Sequence, residues 1–283
     1  MNIMNIILNN LFIIIIFITF FIISYYYYMR RNIKHVVVFD LDETIGCFQQ
    51  LGIFCDALEI FNKKKLTRDD FIEILDLYPE YFRPNLFNIM KFLKEKKIKG
   101  DLQKVCLYTN NNGPKEWARR ICLYIDNKID YKLFDNHIGA YMVGGKQIER
   151  NRTTHEKTVD DFLNTTHFSQ DIKICFIDDL YHEKMDTANV YYIHVEPYNK
   201  ILPIETLISR YLKRYNLDVD PIQFNKFIKF IKSYMGKFNI SDIHNDNKID
   251  HNQNGKEILK YLETFLSDTK LSSKQTKNKT LKK

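Results

Sequence analysis

The run Val36-Val37-Val38-Phe39 leads straight into Asp40, and Asp42 follows two positions later. Four consecutive apolar residues, three of them β-branched, read as a strand buried on both faces. A carboxylate cannot be buried unpaired in that setting, so Asp40 must stand at the strand's exit. Two further stretches have the same design. "KVCLYTN" (104–110) runs into Thr109, and "IKICFIDD" (172–179) runs into Asp178 and Asp179. "VYYIHV" (190–195) reads as a fourth strand.

Helical patterns lie between these strands. Residues 67–78 open with a capping pattern from Thr67 to Asp70. "NLFNIMKFLKEKK" follows Pro84, and Pro114 opens a helix with Trp117, Ile121 and Tyr124 on one face. "EKTVDDFL" precedes the third strand, and "PIETLISRYLKRY" closes the series. "IGAYMVGGKQIER" reads as a hairpin turning at Gly144-Gly145. Alternating strands and helices predict an α/β fold, a Rossmann-like parallel sheet with helices on both faces. In such sheets ligands bind outside the carboxyl ends of the strands. Asp40, Thr109, Asp178 and Asp179 are therefore expected to meet in one site.

The chain has 283 residues and a net charge of +7. Six lysines against one aspartate in residues 268–283 account for +5 of it. The remainder is nearly balanced, so the basic pI does not imply a nucleic-acid-binding body. Five cysteines, with no Cys-x-x-Cys pair, read as free thiols in a reducing compartment. "DHNQNG" (250–255) imitates the start of a calcium loop. Its twelfth position is Tyr261, where a bidentate Glu is needed, so no calcium site is expected.

"LFIIIIFITFFIISYYYY" (11–28) contains no charge, Pro or Gly. As a helix it would span roughly 27 Å, close to the hydrocarbon thickness of a bilayer. Four Tyr suit the headgroup level, and Arg30, Arg31 and Lys34 follow. The expectation is a single-pass transmembrane helix over about 8–28 within an anchor of residues 1–30, with the body on the cytoplasmic side. Residues 31–215 form the main domain, 216–266 a helical extension that packs on it, and 267–283 a basic, disordered tail.

The carboxylates suggest a reaction. An Asp at a strand end can attack a phosphoryl group. A second carboxylate at fixed separation can protonate the leaving oxygen and later take a proton from water. Crowded carboxylates beside a phosphate need a hard divalent cation such as Mg²⁺. Thr109 is placed to hydrogen-bond a phosphate oxygen. Lys157 is the candidate counter-charge, with Lys146, Arg150 and Arg152 as rivals.

"FDLDETIG" resembles the first motif of the haloacid dehalogenase superfamily, and DLDET in particular resembles its Fcp/Scp-type (NLI-interacting-factor-like) phosphatases. "CLYTN", Lys157 and "CFIDD" are similar to the second, third and fourth motifs, and "FRPNL" (82–86) to an Arg-Pro step before a helix in that branch. The resemblance covers residues 35–215 and extends to phosphatase-like proteins of large DNA viruses. It implies Asp40 as nucleophile and Asp42 as acid/base. It also implies Mg²⁺ on Asp40, the backbone carbonyl of Asp42, and Asp178 or Asp179.

The segments 46–82 and 113–152 leave no room for a large cap, so an open site and a phosphoprotein substrate are expected. With the anchor, the arrangement resembles Dullard-type nuclear-envelope phosphatases. Two alternatives stay open: a 3′-phosphatase for nucleic-acid ends, and a non-catalytic, membrane-tethered receptor like the related domain of the mitochondrial import translocase.

Overall fold

The structure is a computed structural model. It describes residues 3–31, 35–113, 116–215, 221–238, 250–267 and 279–280. Pro114 and most of the tail lie outside them.

Five parallel strands form the centre, in the order β3-β2-β1-β6-β7. They are β1 (His35–Phe39), β2 (Lys104–Tyr108), β3 (Asn136–Ile138), β6 (Lys173–Asp178) and β7 (Val190–His194). The register is continuous: Val37 pairs with Val105 on one side and Cys175 on the other. The chain builds outward from β1 through β2 to β3, then crosses back to lay β6 against the opposite edge of β1. The order reverses between β1 and β6, so their carboxyl ends frame the crevice where such sheets bind ligands.

Period-two alternation sorts the strand residues onto two faces. Val37, Phe39, Leu107, Cys175 and Ile177 join the larger core. That core is covered by α2 (Gln49–Asn62), α3 (Arg68–Leu77), α4 (Leu86–Lys99), α5 (Glu116–Lys128) and α7 (Ile204–Arg214). Val36, Val38, Cys106 and Phe176 face the smaller core beneath α6 (Val159–Thr166). The expected α/β sheet with two covered faces is thus observed. α3 starts at the expected capping box, in which Thr67 accepts from the Asp70 amide while Asp70 accepts from Thr67. β4 (Met142–Val143) and β5 (Lys146–Gln147) form the expected hairpin about Gly144 and Gly145, both at positive φ. The segment between β1 and β2 folds as helices whose apolar residues belong to the main core.

The C-terminal extension packs on this body. Phe227 and Ile231 of α8 (Pro221–Met235), and Ile258, Leu262 and Phe265 of α9 (His251–Ser267), are buried in the main core. The calcium-loop look-alike at 250–255 is the first turn of α9. Lys279–Thr280 runs as a two-residue strand, β8, parallel to β7. The unpaired edge of β7 offers backbone donors and acceptors that a short segment can satisfy.

α1 (Ile3–Arg31) is one continuous helix. Its side chains are described for 11–25, and all of these are exposed. Among the described residues, which for α1 include side chains only of 11–25, no helix is long and apolar enough to cross a membrane, so the span expected over about 8–28 is not shown.

Candidate active site

β1 ends at Phe39, and the Asp40 amide still donates to the Ile177 carbonyl at 2.9 Å, so the sheet holds the backbone of Asp40 rigidly beside β6. The chain then turns tightly. Ile45 and Gly46 both donate to the Leu41 carbonyl, and Glu43 takes a positive φ of 59°. The turn is pinned from outside. Gly46 lies so close to residue 81 that a Cβ would sit 2.4 Å from the Tyr81 carbonyl oxygen. Arg83, buried, donates through Nε to the Thr44 carbonyl at 2.6 Å and through Nη2 to the Glu43 and Glu196 carbonyls. The Arg-Pro step noted in the sequence therefore clamps the turn that carries Asp42 and Thr44.

Lys157 reaches the centre of the site. Its ammonium donates to Asp40 Oδ1 and, at 2.7 Å, to Asp178 Oδ2. All three residues are buried. The stem of Lys157 lies in an aromatic slot, its Nζ about 6 Å from the ring centres of Tyr108 and Phe176. Of the rivals, Lys146 and Arg150 are exposed. Arg152 is buried but has another task. It donates to the carbonyls of Thr109, Gly139, His155 and Glu156, and it stacks over Tyr108. Arg152 thereby ties the loop after β2 to the segment that carries Lys157. Thr158 caps α6 by accepting from the Asp161 amide, which fixes the backbone next to Lys157.

Asp178 and Asp179 hold different partners. Asp178 Oδ1 accepts from the Leu180 amide at 2.8 Å, and His182 Nε2 lies 3.5 Å from Oδ2. Asp179 Oδ1 accepts from the Thr44 hydroxyl at 2.9 Å, and the Asp179 amide donates back to the same hydroxyl oxygen. Asp42 is half-buried and accepts from Asn111 Nδ2 at 2.7 Å. Thr109, buried at the end of β2, accepts from the Asn111 amide through its hydroxyl oxygen.

All six residues singled out in the sequence, Asp40, Asp42, Thr109, Lys157, Asp178 and Asp179, thus lie at the carboxyl ends of the strands. Ligand atoms of Asp40, Asp178 and Asp179 come within 4.8 Å of one another, a grouping able to hold a metal ion. The Asp42 carboxylate is outside that group, turned toward Asn111. Asn111, Thr44, His182 and Arg152 in its clamping role carry no sequence signal. An Asn within Asn110-Asn111-Asn112 of an Asn-rich chain looks like composition.

The electrostatics follow from burial. Burial pushes the Asp40 carboxyl up to about 8; Lys157 opposes the shift, and Asp178 adds to it. Asp178 is also penalised by burial, but Lys157 and His182 outweigh that and hold it below the usual carboxylate range. Burial raises Asp42 against the Asn111 hydrogen bond, and raises Asp179 with help from Asp178. Burial works against the Lys157 ammonium, yet Asp40 and Asp178 raise it above an ordinary lysine. Asp40 and Asp178 share the Lys157 ammonium, and Arg83 lies near Asp179, so the four carboxylates outnumber the cations that face them. Three hard oxygen ligands in such a site suit Mg²⁺.

No family model, no curated protein and no solved structure matches this chain.

Proposed function

We propose that the chain is a membrane-anchored, Mg²⁺-dependent phosphatase of the haloacid dehalogenase type, acting on phosphoserine or phosphothreonine proteins. The observation that carries this reading is the pairing of Asp40 with Lys157 and Asp178 at the switch point, with Asp42 two residues on and held separately by Asn111.

In this reading the Asp40 carboxylate attacks phosphorus, and the P–O bond to the substrate alcohol breaks. Asp42 delivers a proton to the departing oxygen. Burial raises its pKa, the direction that favours a group acting as an acid. Asp42 then takes a proton from a water that attacks the aspartyl phosphate, which frees inorganic phosphate and restores Asp40. Lys157 keeps Asp40 aligned and offers positive charge to the phosphoryl oxygens. Asp40, Asp178 and Asp179 are the residues that would hold Mg²⁺, which when bound offsets the charge crowded between carboxylates and phosphate. Thr44 orients Asp179, and Thr109 fixes the loop bearing Asn111.

α1 is the proposed anchor. Its exposed apolar side chains from Leu11 to Tyr25 have no place in the core, and the sequence continues the uncharged run to Tyr28. The test is hydrolysis of para-nitrophenyl phosphate by the full chain in detergent, with Mg²⁺, with EDTA, and with Asp40→Asn. Metal-dependent turnover lost in the variant is expected. Turnover that survives Asp40→Asn overturns the reading.

A further inference from the structure

A cleft of about 410 Å³ opens directly beside Asp42. One wall is α2, which contributes Gln49, Gly52, Ile53 and Asp56. These positions are spaced i, i+3, i+4, i+7 and so form one helical stripe. The opposite wall is the loop after β2 and Trp117 of α5. Gly52 faces the Trp117 ring, where a Cβ would stand in ordinary contact at 3.6 Å. A second groove, of about 270 Å³, continues past Asp56 and Trp117, which line both.

The polarity changes along the trough. Asparagines lie nearest Asp42, then the apolar faces of Trp117 and Ile53, then Asp56. Farther out, in the second groove, Glu59 is paired with Lys65, Glu116 with Arg119, and Arg120 also lines the wall. Asp56 is exposed and has no ion pair among the described residues. Asp42, Glu43 and Asp56 are the charged residues lining the first cleft, and no described lysine or arginine is among its lining. The stripe from Gln49 to Asp56 rises roughly 10 Å along the helix. That is the length of about three residues of extended peptide.

We propose that this trough is the substrate-specificity groove and takes a basic phosphopeptide. An apolar side chain next to the phosphorylated residue packs on Trp117 and Ile53, and a lysine or arginine about three positions from the phosphorylated residue pairs with Asp56. The proposal rests on the phosphatase reading and deepens it. The first cleft, lined by carboxylates with no lysine or arginine among the described residues, repels a second phosphate and therefore disfavours nucleic-acid ends.

The test uses the full chain with Mg²⁺ and phosphoserine peptides that carry Leu beside the phosphoserine. Either Lys or Glu stands three positions away, on each side in separate peptides. The readout is the ratio of kcat/KM for the Lys peptide to that for its Glu counterpart, which is internal to each variant. A preference for Lys of about fivefold is expected, carried by KM. Asp56→Lys reverses it, and Asp56→Asn brings it near one. A wild-type ratio of one, a ratio unmoved by Asp56→Lys, or a 3′-phosphorylated oligonucleotide that outcompetes the Lys peptide overturns the proposal. If para-nitrophenyl phosphate is not hydrolysed either, it is the phosphatase reading that fails. Fluorescence anisotropy of the same peptides on the full chain then decides the groove: tighter binding of the Lys peptide, lost in Asp56→Lys, sustains it, and equal binding overturns it.

Discussion

Lys157 Nζ donates to Asp178 Oδ2 across 2.7 Å with both side chains buried, and the same ammonium serves Asp40. One cation therefore holds two strand ends together. Lys157→Met leaves the buried Asp178 carboxylate and Asp40 carboxyl without the cation they share, and removing one member of such a buried group costs about 3–5 kcal/mol. A large fall in thermal midpoint is expected without metal, with partial recovery as Mg²⁺ is added. A midpoint unchanged in EDTA would show that the ion pair contributes nothing to stability.

Asp40 sets a pH dependence. Folded, its carboxyl keeps a proton up to about 8, whereas in the unfolded chain it loses one near an ordinary value of about 4. Across that window the folded state binds more protons, so stability falls as pH rises. Asp42 and Asp179, also raised, add the same sign. Asp178, lowered, acts oppositely and only below the ordinary carboxylate range. Thermal midpoints in EDTA from pH 5 to pH 8 are expected to decline, and more shallowly in Asp40→Asn. Parallel declines for the two proteins would exclude Asp40 as the source.

In the proposed reading, metal binding is separable from turnover. A ligand present at a hundred times its dissociation constant stabilises the folded state by about 2.7 kcal/mol. Calorimetry of the Asp40→Asn protein, which cannot turn over in this reading, should still show a rise in midpoint with Mg²⁺. Asp179→Asn should weaken that response, and Thr44→Val, which frees the carboxylate it orients, should weaken it less. A full response in the double variant Asp178→Asn/Asp179→Asn would place the metal elsewhere.

In the proposed mechanism Asn111 holds the acid/base Asp42, donating to its carboxylate. A hydrogen bond to a charged group contributes about 1.5–3 kcal/mol, so Asn111→Ala is expected to lower kcat by roughly tenfold or more. The loss should be larger for phosphoserine, a poor leaving group, than for para-nitrophenyl phosphate. Because the bond lowers the Asp42 pKa, its removal should move the alkaline limb of the pH–kcat profile upward. Equal losses on both substrates with an unmoved limb would make Asn111 merely structural.

Gly46 has no space for a side chain against the Tyr81 carbonyl. Gly46→Ala forces the turn carrying Asp42 and Thr44 away from Arg83, at a cost of about 1–3 kcal/mol. Urea unfolding should report that loss, together with reduced turnover. Wild-type values for both would mean that the turn relaxes without disturbing the site.

Much of this architecture is legible along the chain because its signals are local. Runs such as Val36–Phe39 and Ile174–Ile177 declare buried strands through their composition, and Thr67 with Asp70 declares a helix start through capping chemistry. The polar residues that end those runs mark the site, since a carboxylate leaving a buried strand must find water, a cation or a partner. Which partner each one finds depends on pairings distant in sequence. Lys157 and Asp40 are 117 positions apart, Thr44 and Asp179 are 135 apart, and Asn111 and Asp42 are 69 apart. No periodicity encodes those meetings. The crossing of the chain from β3 back to β6 brings Asp178 beside Asp40, and only then do burial and a shared ammonium drive their proton affinities apart. The sequence alone determined four of the five central parallel strands, most of the helices that cover them and the residues able to do chemistry, whereas β3 and α2 had no reading there. The tertiary structure decided which lysine enters the site, which carboxylate stands outside the metal group, and that α2 and Trp117 enclose a trough beside it, because each of these depends on packing between segments that have no local reason to meet.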